Sequence, residues 1–328
     1  MIKTKNVQNF KGKIGLYAIL FILLNYSVLI VSVNGNSTYQ SALTKGTDFF
    51  KVSVYHKDKW TSTFTEDVLP SNFFKGESNI TGAESKLTLR GYTNINLDFY
   101  GILSNFFFTG DQLAALISLD AYGYNESEIN NLYSDTFQLT FGLRAVWYFT
   151  TSEFQETPNA TANSVFIFQD PSQYKDILDQ YNDFVDVLKN DTLIPLIIRS
   201  SLVNYTSNEF LTNLAFNGLA LGIPTTTYLE SIITELAPTN VSYSADSTGN
   251  PSLILTGFSK NNYSIAFKYG SDGVLMEFKV LDVNGAVIYL ITSYNTEWIF
   301  FLVLFIFIGI SGLIIGIYLY MRKKRLKK

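Results

Sequence analysis

The amino-acid sequence predicts an α+β fold in which a curved antiparallel sheet packs on a few helices, followed by one C-terminal transmembrane helix. Apolar and more polar residues alternate from Phe137 to Phe149, the pattern of a long half-buried strand. Five shorter runs of this kind, separated by turn residues, occupy residues 241–293. Amphipathic helical patterns lie between the two strand regions, and this segregation favours α+β over α/β.

Two further alternating runs extend the first strand region. Phe50, Val52 and Val54 form one, and residues 95–103, with Ile95, Leu97, Phe99, Gly101 and Leu103, form the other. We therefore expect antiparallel sheet with one face in solvent across the N-terminal half. The polar segment 150–164 resembles a domain linker, but we interpret it as a loop because neither strand region closes a sheet alone.

The last strand region predicts a meander with strands near 241–245, 252–258, 262–269, 274–282 and 286–293. Asn284-Gly285 suits a two-residue type I′ turn, which needs positive φ at both positions, and Gly270–Gly273 suits a longer hairpin loop. With its terminal hairpins in the sequence YGSDGVLMEFKVLDVNGAVIYLI, this third resembles the curved sheets of lipoprotein-carrier-like proteins. That resemblance implies a concave sheet that holds an apolar ligand.

Three helices are predicted between the strand regions, and a fourth lies within the first strand region. The longest runs from Pro171 to Lys189 behind an Asp170 N-cap. A capping box at Thr206 and Glu209 begins a second helix, which we expect to reach Leu221. The other two are 226–236 and a short helix at 111–119 capped by Thr109. The apolar stripe of the longest helix comprises Tyr174, Ile177, Leu178, Tyr181, Phe184, Val185 and Leu188.

Both ends of the chain are apolar and basic, which predicts export and membrane anchoring. Residues 1–35 contain lysines followed by the apolar run 14–33, the order of a signal peptide, although an uncleaved anchor stays open because the run is long. Residues 298–321 carry no charge and would span about 36 Å as a transmembrane helix. The basic tail 322–328 predicts a cytoplasmic C-terminus, so residues 36–297 form the extracytoplasmic domain.

Glycosylation and pairing in the bilayer are predicted from short motifs. Gly312 and Gly316 form a GxxxG pair that would allow two transmembrane helices to dimerise, with chance small residues as the alternative. Eight N-x-S/T sequons lie in the predicted extracytoplasmic domain, as expected for a glycoprotein. Their asparagines are Asn36, Asn79, Asn125, Asn159, Asn190, Asn204, Asn240 and Asn262.

Charge and composition exclude several functions. Residues 36–297 hold all 28 acidic residues and 14 of the 24 basic ones, a net charge of −14 that disfavours nucleic acid. The chain has no cysteine and a single histidine, His56, so thiolate chemistry is excluded and a serine triad would need another base. We predict no cofactor.

Candidate site residues are few, and each has an ordinary structural alternative. An acidic row on the longest helix could recruit calcium, but a solvated helix face explains it as well. Asp246-Ser247-Thr248-Gly249 only faintly suggests an aspartic-protease motif. The acidic row comprises Asp176, Asp179, Asp183 and Asp186. No catalytic set is predicted, and the ligand-binding residues stay unknown.

The combination of a signal, an acidic sequon-rich domain and a basic stop is similar to archaeal single-pass surface proteins. The sequence therefore favours a non-enzymatic cell-surface module whose candidate partners are the lipid bilayer, an extracellular protein or glycan, and a second copy of the chain through its transmembrane helix. A membrane-tethered carrier of an apolar ligand such as lipid is the first alternative. An extracytoplasmic hydrolase is the second, because paired acids among the 28 carboxylates could act on a glycosidic bond.

Overall fold

A computed structural model describes residues 39–107 and 113–294. Several predicted features lie outside these residues: the N-terminal signal segment with Asn36, the Thr109 cap, the transmembrane helix 298–321 with Gly312 and Gly316, and the basic tail. Within the described ranges, no helix is both long enough and apolar enough to cross a bilayer.

Nine antiparallel strands form one curled half-barrel sheet, so the α+β prediction with a curved sheet is confirmed. Their spatial order is β4-β3-β2-β1-β9-β8-β7-β6-β5. The strands are β1 (Gly46–Tyr55), β2 (Glu84–Asp98), β3 (Thr136–Thr150), β4 (Ala160–Phe168), β5 (Val241–Ala245), β6 (Pro251–Phe258), β7 (Asn262–Tyr269), β8 (Leu275–Leu281) and β9 (Val287–Tyr294).

Nine α-helices accompany the sheet in the described part of the chain, most of them short. A π-helical turn, Leu103–Phe107, follows the third helix, and a 3-10 turn, Leu119–Tyr122, follows the fourth. The helices are α1 (Lys57–Thr63), α2 (Pro70–Phe73), α3 (Phe99–Ile102), α4 (Leu113–Ser118), α5 (Glu126–Leu132), α6 (Gln173–Asn190), α7 (Leu196–Ser201), α8 (Ser207–Phe216) and α9 (Thr225–Leu236).

Two meanders join to make the sheet. Strands β1 to β4 pair in chain order, as do β5 to β9, and the first and last strands then pair with each other, with Phe49 opposite Tyr294 and Tyr55 opposite Tyr289. The segment 151–159 connects the paired strands β3 and β4. The predicted loop 150–164 is therefore confirmed for 151–159, which joins two neighbours in one sheet, but Thr150 belongs to β3 and residues 160–164 belong to β4.

The core is rich in aromatic residues, and α6 supplies much of it. All seven residues of its predicted apolar stripe are buried. Phe168 of β4 packs edge-on against Tyr174 of α6, with ring centroids 4.9 Å apart, and Phe184 packs edge-on against Phe99, the first residue of α3. The helix begins at Gln173, two residues later than predicted, but Asp170 Oδ1 still accepts a hydrogen bond from the Ser172 amide at 2.9 Å.

Three local predictions were wrong. The strand predicted to run through residue 103 ends at Asp98, whose side chain accepts a hydrogen bond from the Gly101 amide at 2.8 Å and begins α3 instead. Helix α8 ends at Phe216 rather than Leu221 because Gly218 takes a positive φ of 94°. The turn before β9 is not type I′, since Gly285 has positive φ and Asn284 does not.

Candidate functional site

A cavity of about 550 Å³ lies where the two meanders meet. Its walls come from β1, β2 and β3 on one side and from β7, β8 and β9 on another. The C-terminal end of α8, with residues 215–220, and the β7–β8 loop complete the lining. This volume falls in the usual range for small-molecule sites.

Aromatic side chains make up much of the lining. Phe74 and Phe278 contact edge-on at 4.7 Å between ring centroids, and Phe267 contacts Phe278 at 5.1 Å. Phe73 stacks on Phe216 at 5.2 Å and is partly exposed. The aromatic lining comprises Phe50, Phe73, Phe74, Trp147, Tyr148, Phe149, Phe216, Phe267 and Phe278.

Strand register explains why residues of three strands line the same cavity. Asp48 of β1 lies opposite Leu87 of β2, and Leu87 lies opposite Val146 of β3. Two residues further along the same pair of strands, Leu89 lies opposite Arg144. Alternate residues of a strand point to one face, so these side chains share the face that lines the cavity.

Arg144 is the charged residue set deepest in this apolar lining. Its guanidinium lies directly against the backbone of Gly218, where an added Cβ atom would come within 1.9 Å of Nη2. Burial lowers the pKa of Arg144 to about 10, while the nearby negative charge of Asp48 opposes that shift. The guanidinium is therefore still fully charged at neutral pH.

Two carboxylates lie at the same cavity, on different strands. Asp48 belongs to β1, and Asp272 belongs to the β7–β8 loop, where its Oδ1 accepts a hydrogen bond from the Val274 amide at 3.1 Å. Burial raises the pKa of Asp48, the charge of Asp272 raises it further, and Arg144 lowers it. Asp48 lines the cavity, and the surrounding walls partly desolvate its carboxylate.

Backbone contacts fix the wall opposite the strands. The Leu221 amide donates a hydrogen bond to the Gly273 carbonyl at 2.9 Å, and a Cβ atom at Gly273 would lie 1.9 Å from the Leu221 carbonyl oxygen. Gly273 and Gly218 both have positive φ. Glycine at 273 thus lets the β7–β8 loop approach residue 221 closely, and glycine at 218 leaves room for the Arg144 guanidinium.

The predicted acidic row lies on the exposed side of α6, and several of its members contact other residues. Lys175 forms an ion pair with Asp179, the Tyr133 hydroxyl donates to Asp183 at 2.7 Å, and Asn204 Nδ2 donates to Asp186 at 2.9 Å. Asp176, Asp179, Asp183 and Asp186 are all exposed. Across residues 39–107 and 113–294, no three acidic or histidine side chains gather as a metal site would require.

Six of the sequon asparagines within the described ranges are exposed, and Asn204 differs from them. Asn204 is half-buried, and its Nδ2 also donates to the Asn182 carbonyl at 3.2 Å. The glycan would be attached to this same nitrogen, so the folded chain disfavours modification there. The exposed ones are Asn79, Asn125, Asn159, Asn190, Asn240 and Asn262.

Two other sequence candidates have structural roles. His56 is exposed at the start of α1, where its carbonyl accepts from the Trp60 amide at 2.9 Å. Asp246 accepts from the Thr248 amide at 2.8 Å and forms an ion pair with Lys268 at 2.8 Å. Residues 246–249 thus form the turn between β5 and β6.

Sequence reasoning missed the cavity residues Asp48, Arg144, Gly218 and Asp272. The prediction that the N-terminal sheet has one solvated face was wrong at this place, because the face of β3 that carries Arg144 lines the cavity. The available signal in the sequence was an arginine inside a long strand. In the structure both faces of this strand are covered, and the end of α8 covers the face that carries Arg144. The pattern of the strand alone could not show this contact with a remote helix.

No protein-family model, curated protein or solved structure matches this chain. The resemblance of the last third to lipoprotein-carrier-like sheets therefore stays a likeness of strand pattern. Function has to be argued from the cavity itself.

Proposed function

We propose that this chain is a single-pass cell-surface protein whose extracytoplasmic domain binds a small, mostly apolar ligand in the cavity. The observation that supports this proposal is a cavity of about 550 Å³, lined by aromatic side chains, inside a curled sheet. Apolar walls with a few polar groups are the usual composition of small-molecule sites. The predicted anchor 298–321 would hold this binding module at the membrane, with the tail 322–328 in the cytoplasm.

Binding without catalysis suits the polar groups of the lining. The hydroxyl of Ser85, which lines the cavity, donates a hydrogen bond to the Trp147 carbonyl at 2.7 Å. No histidine belongs to the lining. Nucleophilic catalysis needs an activated hydroxyl beside a base. Of the two lining carboxylates, Asp48 has a pKa that burial and the charge of Asp272 raise, while Arg144 lowers it.

Native mass spectrometry of the full chain, released gently from its source membrane, tests this proposal. We expect a bound small molecule that is lost in Val146→Trp, since Val146 lies on the cavity face of β3 and the larger ring would fill the space. Val283→Trp is the matched control, because Val283 is 61% exposed and outside the lining. Equal ligand retention in both variants, or a wild-type chain that neither carries nor takes up any apolar molecule, would refute a cavity ligand.

Adhesion to an extracellular protein is the second candidate function. Helix α7 contributes no buried residue, and Leu193, Leu196 and Ile197 around its start are 74%, 70% and 80% exposed. Exposed apolar patches commonly mark protein-protein contacts. Cells displaying Leu196→Ser/Ile197→Ser should then adhere less to their partner cells, while Val283→Ser leaves adhesion unchanged. Unaltered adhesion in the double variant would count against this surface.

A further inference from the structure

The charges of the cavity differ in sign from those of the domain around it. The lining includes three cations, Lys45, Lys75 and Arg144, and two carboxylates, Asp48 and Asp272. The segment 36–297 as a whole has 14 basic and 28 acidic residues. Lys45 and Lys75 are exposed, so Arg144 is the cation set into the cavity wall. A lining with one more cation than carboxylates, within an acidic domain, favours an anionic group on whatever enters it.

Arg144 is the cation whose position is fixed. Its guanidinium rests on the Gly218 backbone, and Nε is buried, so the planar group has little freedom to reorient. A guanidinium has five donors in a rigid fork that matches the two oxygens of a carboxylate. In a site with little water, hydrogen bonds between charged groups are stronger than at the surface.

The apolar walls define the rest of the ligand. Val146 lies two residues from Arg144 on the same face of β3, and the ring cluster of Phe216, Phe267 and Phe278 lines the same space. A molecule that contacts both the Arg144 guanidinium and this ring cluster needs an acidic end and an apolar body. Asp48 limits how tightly such an acid is held, because its negative charge also attracts Arg144.

We propose that the ligand class is an amphipathic carboxylic acid, whose carboxylate binds the Arg144 guanidinium while its chain lies against the aromatic wall. This inference rests on the proposed function, since it names the chemistry of the same cavity. It predicts that head-group charge, and not apolar area alone, selects the ligand.

Binding of dodecanoic acid and dodecanol to the full chain in lipid nanodiscs tests the proposal, with empty nanodiscs subtracted. We expect the acid to bind at least about tenfold more tightly than the alcohol, the effect of one charge-assisted contact. Arg144→Met should remove this preference and leave the affinity for the alcohol within about twofold, since the side-chain volume is similar. Arg90→Met is the matched control, because Arg90 is exposed and outside the lining.

Asp48→Asn gives a second measurement that does not depend on the folding of the arginine variant. Removing this negative charge should increase the preference for the acid, since less of the positive potential of Arg144 is compensated. Equal binding of acid and alcohol to the wild type would overturn the head-group inference but leave the apolar site standing. Binding of neither compound would refute the proposed function itself, and a lower acid preference in Asp48→Asn would overturn the role of Arg144.

Discussion

Three buried tyrosines show how the contribution of a buried hydroxyl to stability depends on its hydrogen-bond partner. Tyr174, Tyr228 and Tyr269 are all fully buried, and burial raises the pKa of each hydroxyl. The Tyr228 hydroxyl donates to the Phe168 carbonyl at 2.8 Å. The Tyr269 hydroxyl has no hydrogen-bond partner among the described residues. An unpaired buried hydroxyl carries a desolvation cost that a paired one offsets.

Removing these two hydroxyls should therefore have different effects on stability. Tyr228→Phe should lower the free energy of unfolding by about 1 kcal/mol, because a buried carbonyl loses its donor. Tyr269→Phe should leave the free energy of unfolding unchanged or raise it by up to about 1 kcal/mol. Urea denaturation of the full chain and both variants measures the difference. A loss in Tyr269→Phe as large as that in Tyr228→Phe would show that its hydroxyl is paired.

At the scale of elements, local patterns predicted the pieces whose cause is local. The five strands of the second meander match the predicted ranges to within one residue at each end. The capping box of α8 is present, with the Thr206 side chain accepting from the Glu209 amide and Glu209 accepting in return. The α6 stripe is buried as predicted, since a period of 3.6 residues defines one face regardless of the partner.

The missed elements depend on contacts that a local pattern does not contain. Strand β4 was not predicted because its first half, from Ala160 to Ser164, is polar and gains strand structure by pairing with β3. The strand predicted through residue 103 was lost to the Asp98 cap, which Asn130 of α5 also holds through a 2.8 Å hydrogen bond. The residues that line the cavity could not be predicted for the same reason, since its walls are remote in sequence.

The contact between the β7–β8 loop and residue 221 can be tested by comparing two glycine variants. Gly273→Ala and Gly285→Ala both place a side chain at positive φ, which costs about 1 kcal/mol in each. Only Gly273 is crowded, with the Leu221 carbonyl 1.9 Å from an added Cβ atom, whereas Gly285 has open space. We expect Gly273→Ala to cost about 1–3 kcal/mol more in the free energy of unfolding.

Thermal and urea denaturation of the two glycine variants measure this difference. Gly273→Ala should also weaken ligand binding in the cavity, because the loop that carries Asp272 would be displaced. Equal stabilities would mean that the loop moves away from Leu221 at no cost, and the wall of the cavity would then be loosely held.

At the scale of the whole molecule, the pairing of β1 with β9 makes the two meanders one unit. A cut between β3 and β4 would leave the two fragments joined by two ladders, β3 with β4 and β1 with β9. Each ladder buries apolar side chains on the common core. The connection 151–159 should therefore be dispensable as a covalent link.

A protease site inserted after Glu156 tests that expectation. The cleaved full chain should stay a single particle in gel filtration and unfold in one transition, because the fragments share the core. The uncleaved insertion variant is the control for effects of the insertion alone. Separation of the fragments without denaturant would show two independent domains and would make 150–164 a linker after all.

Strand β9 stands fifth of nine in the sheet, with four strands on either side. It is also the strand from which the chain continues toward the predicted anchor at 298–321. A load between the cell and a bound partner would enter the domain through this central strand, and would have to shear its ladders with β1 and β8 together before the strand could leave. If the predicted anchor spans the membrane, its connection to the domain lies where the sheet resists extraction from both sides.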